Sequence, residues 1–155
     1  MTKYAERTTV NPAATLAEIQ TLVEDRYKCK DFAFRKSPET VMIVFDMQNR
    51  RVRFTLPLPN PNDKQFKFTD TGRARTGNSG VEAYQQAVRS KYRALLLTIK
   101  AKLESVESGI ETFEEAFMAQ IVLPSGQTMS EWAVPQIAIA YAGGEMPPML
   151  GSGMR

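Results

Sequence analysis

The stretch Val41-Met42-Ile43-Val44-Phe45-Asp46-Met47-Gln48-Asn49-Arg50-Arg51-Val52-Arg53-Phe54-Thr55-Leu56 decides the fold. Apart from Asp46, its first seven residues are apolar and rich in β-branched and aromatic types, the composition of a strand. Gln48-Asn49-Arg50 reads as a tight turn. Arg51 to Leu56 then alternates: Val52, Phe54 and Leu56 face one way, and Arg51, Arg53 and Thr55 the other. A period of two with one apolar face belongs to an antiparallel sheet with one solvated side. That solvated side is basic.

Upstream, Phe32-Ala33-Phe34-Arg35 reads as a further short strand, and a helix is expected over about 12–28. Asn11 suits its N-cap. Pro12 suits the first helical position, where a missing N–H costs nothing. Leu16, Ile19, Leu22, Val23 and Tyr27 give the apolar face, and Lys28 and Lys30 place cations at the negative end of the dipole. Residues 1–10 are polar and expected to be flexible.

Downstream, the proline-rich run Pro57 to Asp63 breaks the sheet. Gln65-Phe66-Lys67-Phe68-Thr69 is a candidate fourth, edge strand, and Thr71 to Gly80 a glycine-containing loop. Ser79-x-x-Glu82 reads as a capping box opening the strongest helix of the chain. Val88, Tyr92, Leu95, Ile99, Leu103 and Val106 form one apolar stripe along it, and Ala87, Ala94 and Ala101 recur beside it where another element could approach closely. Gly109 ends it. Such a length makes this helix either the spine of the fold or an oligomer contact, so a homo-oligomer through the 81–108 helix is one expectation. Thr112-x-x-Glu115 and Thr128-x-x-Glu131 read as two further capping boxes, the second opening a helix through Pro135 to Gly143-Gly144, with Trp132 and Tyr141 packing these C-terminal helices onto the core. Residues 145–155 are expected to be a flexible tail. The result is a single α+β domain over 11–144: an N-terminal helix, a three- or four-stranded antiparallel sheet, a long helix packed across it, and a short helical C-terminal extension.

The chain's 155 residues suit one domain, with 43% hydrophobic and 24% charged residues. It contains no histidine and one cysteine. That excludes a Ser-His-Asp triad, a Cys-His dyad, an imidazole metal ligand, an internal disulfide and a zinc finger. Binding is therefore expected over catalysis, and no catalytic residue, metal ligand or cofactor is assigned. The apolar runs are far below the roughly 20 residues that span a bilayer. The N-terminus lacks the apolar segment of a signal peptide, so a cytoplasmic location with no membrane partner is expected.

The net charge of +3 conceals a division. Residues 1–103 carry 19 Lys and Arg against 10 Asp and Glu; residues 104–155 carry one Arg against seven Glu. A basic body with an acidic end points to nucleic-acid contact or to association through opposite patches. The plainer alternative is that the two signs pair inside one domain.

The first candidate surface is the basic sheet face with the segment beyond it: Arg50, Arg51, Arg53, Lys64, Lys67, Arg73 and Arg75, extended by Arg89, Lys91 and Arg93. Guanidinium forks match phosphate oxygens, so this is a nucleic-acid-backbone surface, whose plainer alternative is a charged solvated face. Phe66 and Phe68 are the near candidates for base stacking. Gly72 to Ser79 has the glycine spacing of a P-loop, but Asn78 stands where the phosphate-binding lysine is required. Asp46, Asp63 and Asp70 beside Lys64 and Lys67 would have to converge on a metal to make a nuclease, and their spacing matches no such motif. Cys29 sits between two lysines that favour its thiolate, but a structural thiol is the expectation. Met118, Met129, Met146, Met149 and Met154 make the acidic C-terminal segment the alternative, protein-binding surface.

Three stretches, Arg53 to Pro59, Lys100 to Ile110 and Met146 to Leu150, resemble a group of small uncharacterised proteins of bacteriophages and prophages, across about 30–150. The resemblance implies a phage setting, in which small basic proteins commonly handle DNA or block host defences, and it assigns no functional residue. The element order also resembles the double-stranded RNA-binding domain and the core of phage single-strand annealing proteins. Against the former, the stretch before the long helix is too long, and the helix opens on Glu82 where a basic cluster would stand.

Overall fold

The computed structural model describes residues 5–144. The alternating stretch forms two strands, β2 (Thr40–Met47) and β3 (Arg50–Pro57), and β1 (Lys30–Lys36) pairs with the other side of β2. The three make an antiparallel sheet in the order β1-β2-β3. Met47 pairs with Arg50, which leaves Gln48 and Asn49 as the two turn residues, at φ 50° and 60°. Positive φ at both positions is what a tight hairpin turn demands of the right-handed strand twist.

As the alternation requires, Val41, Ile43, Phe45, Val52 and Phe54 are buried on one face. Against that face lie α1 (Pro12–Thr21), α3 (Ser79–Glu107) and α4 (Phe113–Phe117). Phe45 and Phe54 stack at 6.4 Å between ring centroids, and Phe117 meets both edge-on at 6.2 and 6.3 Å. Asn11 caps α1 by accepting from the Ala14 N–H at 2.8 Å. Its last turn widens to a π-turn over Leu22–Arg26, so the helical run stops two residues short of the expected Lys28. This turn carries Tyr27 to Glu107 on α3.

The 29-residue α3 is the spine of the domain. Tyr92, Leu95, Leu96, Ile99 and Leu103 are buried within it. Most of the apolar stripe is therefore covered inside the domain, as the spine of a fold requires. Ala94 and Ala101 face solvent and receive no neighbouring element. The Ser79–Glu82 capping box does not form: Asn78 is the N-cap, at φ −87° and ψ 2°, with no side-chain bond. The chain enters from a turn closed by Ser79 N–H on the Thr76 carbonyl, so the cap residue lacks the extended backbone that side-chain capping needs. At the other end Gly109, at φ 71°, donates to Val106 and Ile110 to Ser105, the double closure of a Schellman motif.

The fourth strand is absent. Residues Lys64–Lys67 form a single helical turn, α2, and only Phe68 pairs, in an isolated bridge with Ala74. Near the hairpin the outer edge of β3 is instead met by Ile121 and Val122; Val122 N–H donates to the Arg51 carbonyl at 2.8 Å. Phe66 turns inward to meet Tyr84 edge-on at 5.4 Å. Gly80 permits this, because a β-carbon there would strike the Phe66 carbonyl oxygen.

Both C-terminal capping boxes form, at Thr112–Glu115 and Thr128–Glu131. The second opens α5 (Met129–Gly143), which runs unbroken through Pro135. The expected packing of this helix does not occur. It contains no buried residue, Trp132 is only half-buried, and Tyr141 is 88% exposed. Residues 5–10, expected to be flexible, are fastened to α3, where Gln86 donates to the Glu6 and Thr8 carbonyls. The tail over 145–155 lies outside the described residues. No helix among the described residues is long and apolar enough to cross a membrane.

Candidate functional site

Arg51 and Arg53 of β3 do stand on the outer face of the sheet, as the alternation requires, but each has an acidic partner. Asp46 and Arg51 are directly opposed across β2 and β3. Arg51 grips the carboxylate with two bonds, Nε to Oδ1 at 2.8 Å and Nη2 to Oδ2 at 3.0 Å. That bond holds the Asp46 carboxyl below the usual carboxylate range. Arg53 reaches Glu131 at 2.6 Å with one arm and the Gly126 carbonyl at 3.0 Å with the other, and it ties the start of α5 to the sheet.

The other expected contacts divide in the same way. Arg93 pairs with Glu18 of α1 at 2.7 Å. Arg89 bonds Gln86, and Arg75 bonds the Gln65 carbonyl. Lys64, Lys67, Arg73 and Lys91 are exposed and have no carboxylate within ion-pair distance among the described residues, as is true of Arg50, whose bond is to the neighbouring Asn49 carbonyl. Pairing thus consumes part of the basic surface. Arg26 with Glu104 and Glu107, together with Arg53 and Glu131, joins the basic body to the acidic segment inside one domain.

Lys91 apart, the unpaired cations of the expected surface form two groups. Arg50 stands at the hairpin end of β3, whereas Lys64, Lys67 and Arg73 follow its far end. An eight-residue strand separates the two ends, a length of roughly 25 Å. Near the hairpin end the structure adds two residues that the sequence reading did not place in the site. Lys28 and Lys30 line one open cleft with Arg50 and Arg51, of about 1150 Å³. Lys30 lies opposite Asp46 in the β1–β2 register, so Lys30, Asp46 and Arg51 form a row across the three strands. Two lysines at the end of a helix were legible as a dipole partner; the β-register that brings them beside Arg51 was not.

Phe66 is buried and unavailable for stacking, while Phe68 is 44% exposed. Asp46 and Asp63 lie at opposite ends of β3, so the carboxylates proposed for a nuclease do not converge. Among the described residues no group of three or more His, Cys, Asp or Glu is gathered closely enough to hold a metal ion. Cys29 is buried, and burial pushes its thiol up to about 11. Tyr27, at the edge of the cleft, donates its hydroxyl to Glu107 at 2.6 Å; burial and this bond raise it to about 12. Comparison of the chain with protein-family models, with curated proteins and with solved structures finds no match.

Proposed function

We propose that this is a non-enzymatic, phage-type protein that binds the backbone of nucleic acid in the cytoplasm. One observation carries the reading: Lys28, Lys30, Arg50, Lys64, Lys67 and Arg73 stay exposed without a carboxylate partner among the described residues, in a fold that pairs Arg26, Arg51, Arg53 and Arg93 internally. Unpaired surface cations are the groups that release counterions from a phosphate chain. The phage setting rests on the resemblance of the three stretches given above. Fluorescence anisotropy with labelled single- and double-stranded DNA and RNA tests the proposal. Binding at low salt that fades as salt is raised supports it, and no binding to any of the four at low salt ends it.

A second reading is protein binding through the C-terminal segment, favoured by α5. Val134, Ile137, Ile139 and Tyr141 are 52–88% exposed on a helix that is apolar on every side. A helix of that kind is ordinarily buried, and an apolar groove on a partner protein would cover it. The acids of the segment are largely engaged within the domain, so apolar contact and not charge would drive that binding. A partner captured after nuclease treatment, and lost with Ile137→Asp, supports this reading; capture that Ile137→Asp leaves unchanged opposes it.

A further inference from the structure

We propose that the cleft at the hairpin end of the sheet seats one unpaired nucleotide of a single-stranded nucleic acid, its phosphate on the cationic side and its base on the apolar side. The inference rests on the nucleic-acid reading above and locates it. The cleft has two kinds of wall. One presents Lys28, Lys30, Arg50 and Arg51 against Asp31 and Asp46, an excess of two positive charges. The other is aliphatic and includes Met47, Ile121, Leu123 and Pro124. Its volume of about 1150 Å³ accommodates a nucleotide with room for the chain to enter and leave.

Arg51 is the oriented donor of the group. A guanidinium has five N–H groups, and its bidentate bond to Asp46 uses Nε and one arm. Arg51 lines the cleft and the pair with Asp46 holds its guanidinium in place, so its remaining N–H groups need no further ordering to meet a phosphate. Lys28, Lys30 and Arg50 have no carboxylate within ion-pair distance among the described residues, so their charge is available to a phosphate.

The apolar wall is what selects single strands. A base can lie against Leu123 and Pro124 only when it is not paired. The aromatic ring at the cleft, Tyr27, is covered by the Arg26 guanidinium at 5.2 Å, so the wall offers aliphatic contact that tolerates any base.

The test compares two triple variants by anisotropy with a labelled single-stranded oligonucleotide, a duplex of the same sequence, and an unlabelled mononucleotide and inorganic phosphate as competitors. Lys28→Ala/Lys30→Ala/Arg50→Ala weakens single-strand binding by about tenfold or more and reduces the salt slope by about 2, because three of the cations that displace counterions from the seated nucleotide and the strand on either side of it are gone. Lys64→Ala/Lys67→Ala/Arg73→Ala changes it by less than about threefold. Leu123→Asn, which leaves every charge of the cleft in place, also weakens it. The duplex binds more weakly than the single strand, and neither competitor displaces the oligonucleotide at equal concentration. Unchanged binding by the first triple variant, equal losses in both, or equal affinity for duplex overturns the cleft while leaving backbone binding intact. Displacement by the mononucleotide overturns the polymer as its ligand. Failure of the unaltered protein to bind any nucleic acid overturns the parent reading itself.

Discussion

Arg51 and Asp46 face each other directly across the β2–β3 ladder and close a bidentate ion pair at 2.8 and 3.0 Å. The pair is half exposed, so it adds at most about 1 kcal/mol to stability. Its larger consequence is orientation. Arg51→Ala is expected to lower the unfolding free energy by less than about 1 kcal/mol while reducing single-strand affinity about tenfold. Chemical denaturation beside anisotropy separates the two effects.

Arg53 behaves in the opposite way. Only 20% of its side chain is exposed, and it bonds both Glu131 and the Gly126 carbonyl. Arg53→Ala is expected to destabilise the fold by about 1–2 kcal/mol, since charge-assisted bonds are lost at a largely covered site. It also loosens α5, and limited proteolysis reports this as earlier cleavage after residue 126. Nucleic-acid affinity changes little.

The hairpin was legible because a period of two is a property of neighbouring residues. Val52, Phe54 and Leu56 had to share one face whatever lay beyond them, but the turn expected over Gln48–Arg50 is one residue too long, and the pairing of Asp46 with Arg51 follows only from the two-residue turn of the structure. The strand expected over Gln65–Thr69 was misread for the same reason. Phe66 and Phe68 alternate, yet a strand also requires a partner edge, and near the hairpin the outer edge of β3 is met instead by Ile121 and Val122 from far downstream. Arg53 with Glu131, and the grouping of Lys28 with Arg50, are likewise products of tertiary register. The exposure of Ile137 and Tyr141 was illegible, because apolar residues at helical spacing read as core until a fold leaves them outside it.

Gly80 tests the packing of α2. In Gly80→Ala the new methyl group meets the Phe66 carbonyl oxygen, backbone that cannot swing away. A loss of about 1–3 kcal/mol in unfolding free energy is expected, with a shift of the Tyr84 side-chain resonances that reports separation from Phe66. An unchanged melting temperature would refute the close approach.

Acid is expected to destabilise the protein. Asp46 is held low mainly by its bond to Arg51, and Glu115 and Glu131 mainly by the backbone N–H groups that they accept from Thr112 and Thr128. Each carboxyl is depressed in the folded state, so its contribution is complete above the unfolded value of about 4 and is lost as pH falls through the lower folded value. Melting temperature should be flat from pH 7 to about 5 and then fall. Glu131→Gln should lessen that fall, and a rise in stability towards acid would contradict the assignment.

Lys28 gives a contrast between stability and binding. Its φ of 56° suits glycine. Lys28→Gly should raise the unfolding free energy by up to about 1 kcal/mol and weaken single-strand binding, because strain is relieved and a cation is lost. A variant both less stable and equally good at binding would show that Lys28 serves the fold alone.

The most direct measurement is the salt dependence of binding to a single-stranded oligonucleotide. Each phosphate neutralised contributes about −0.7 to the slope of log affinity against log salt on a single strand, so Lys28, Lys30 and Arg50, the cations of the cleft without a carboxylate partner, predict a contribution near −2.1. A slope of about −2 or steeper that becomes shallower by about 2 in Lys28→Ala/Lys30→Ala/Arg50→Ala is the expected result. Affinity independent of salt, or no binding at low salt, would contradict the claim that this surface holds a phosphate backbone.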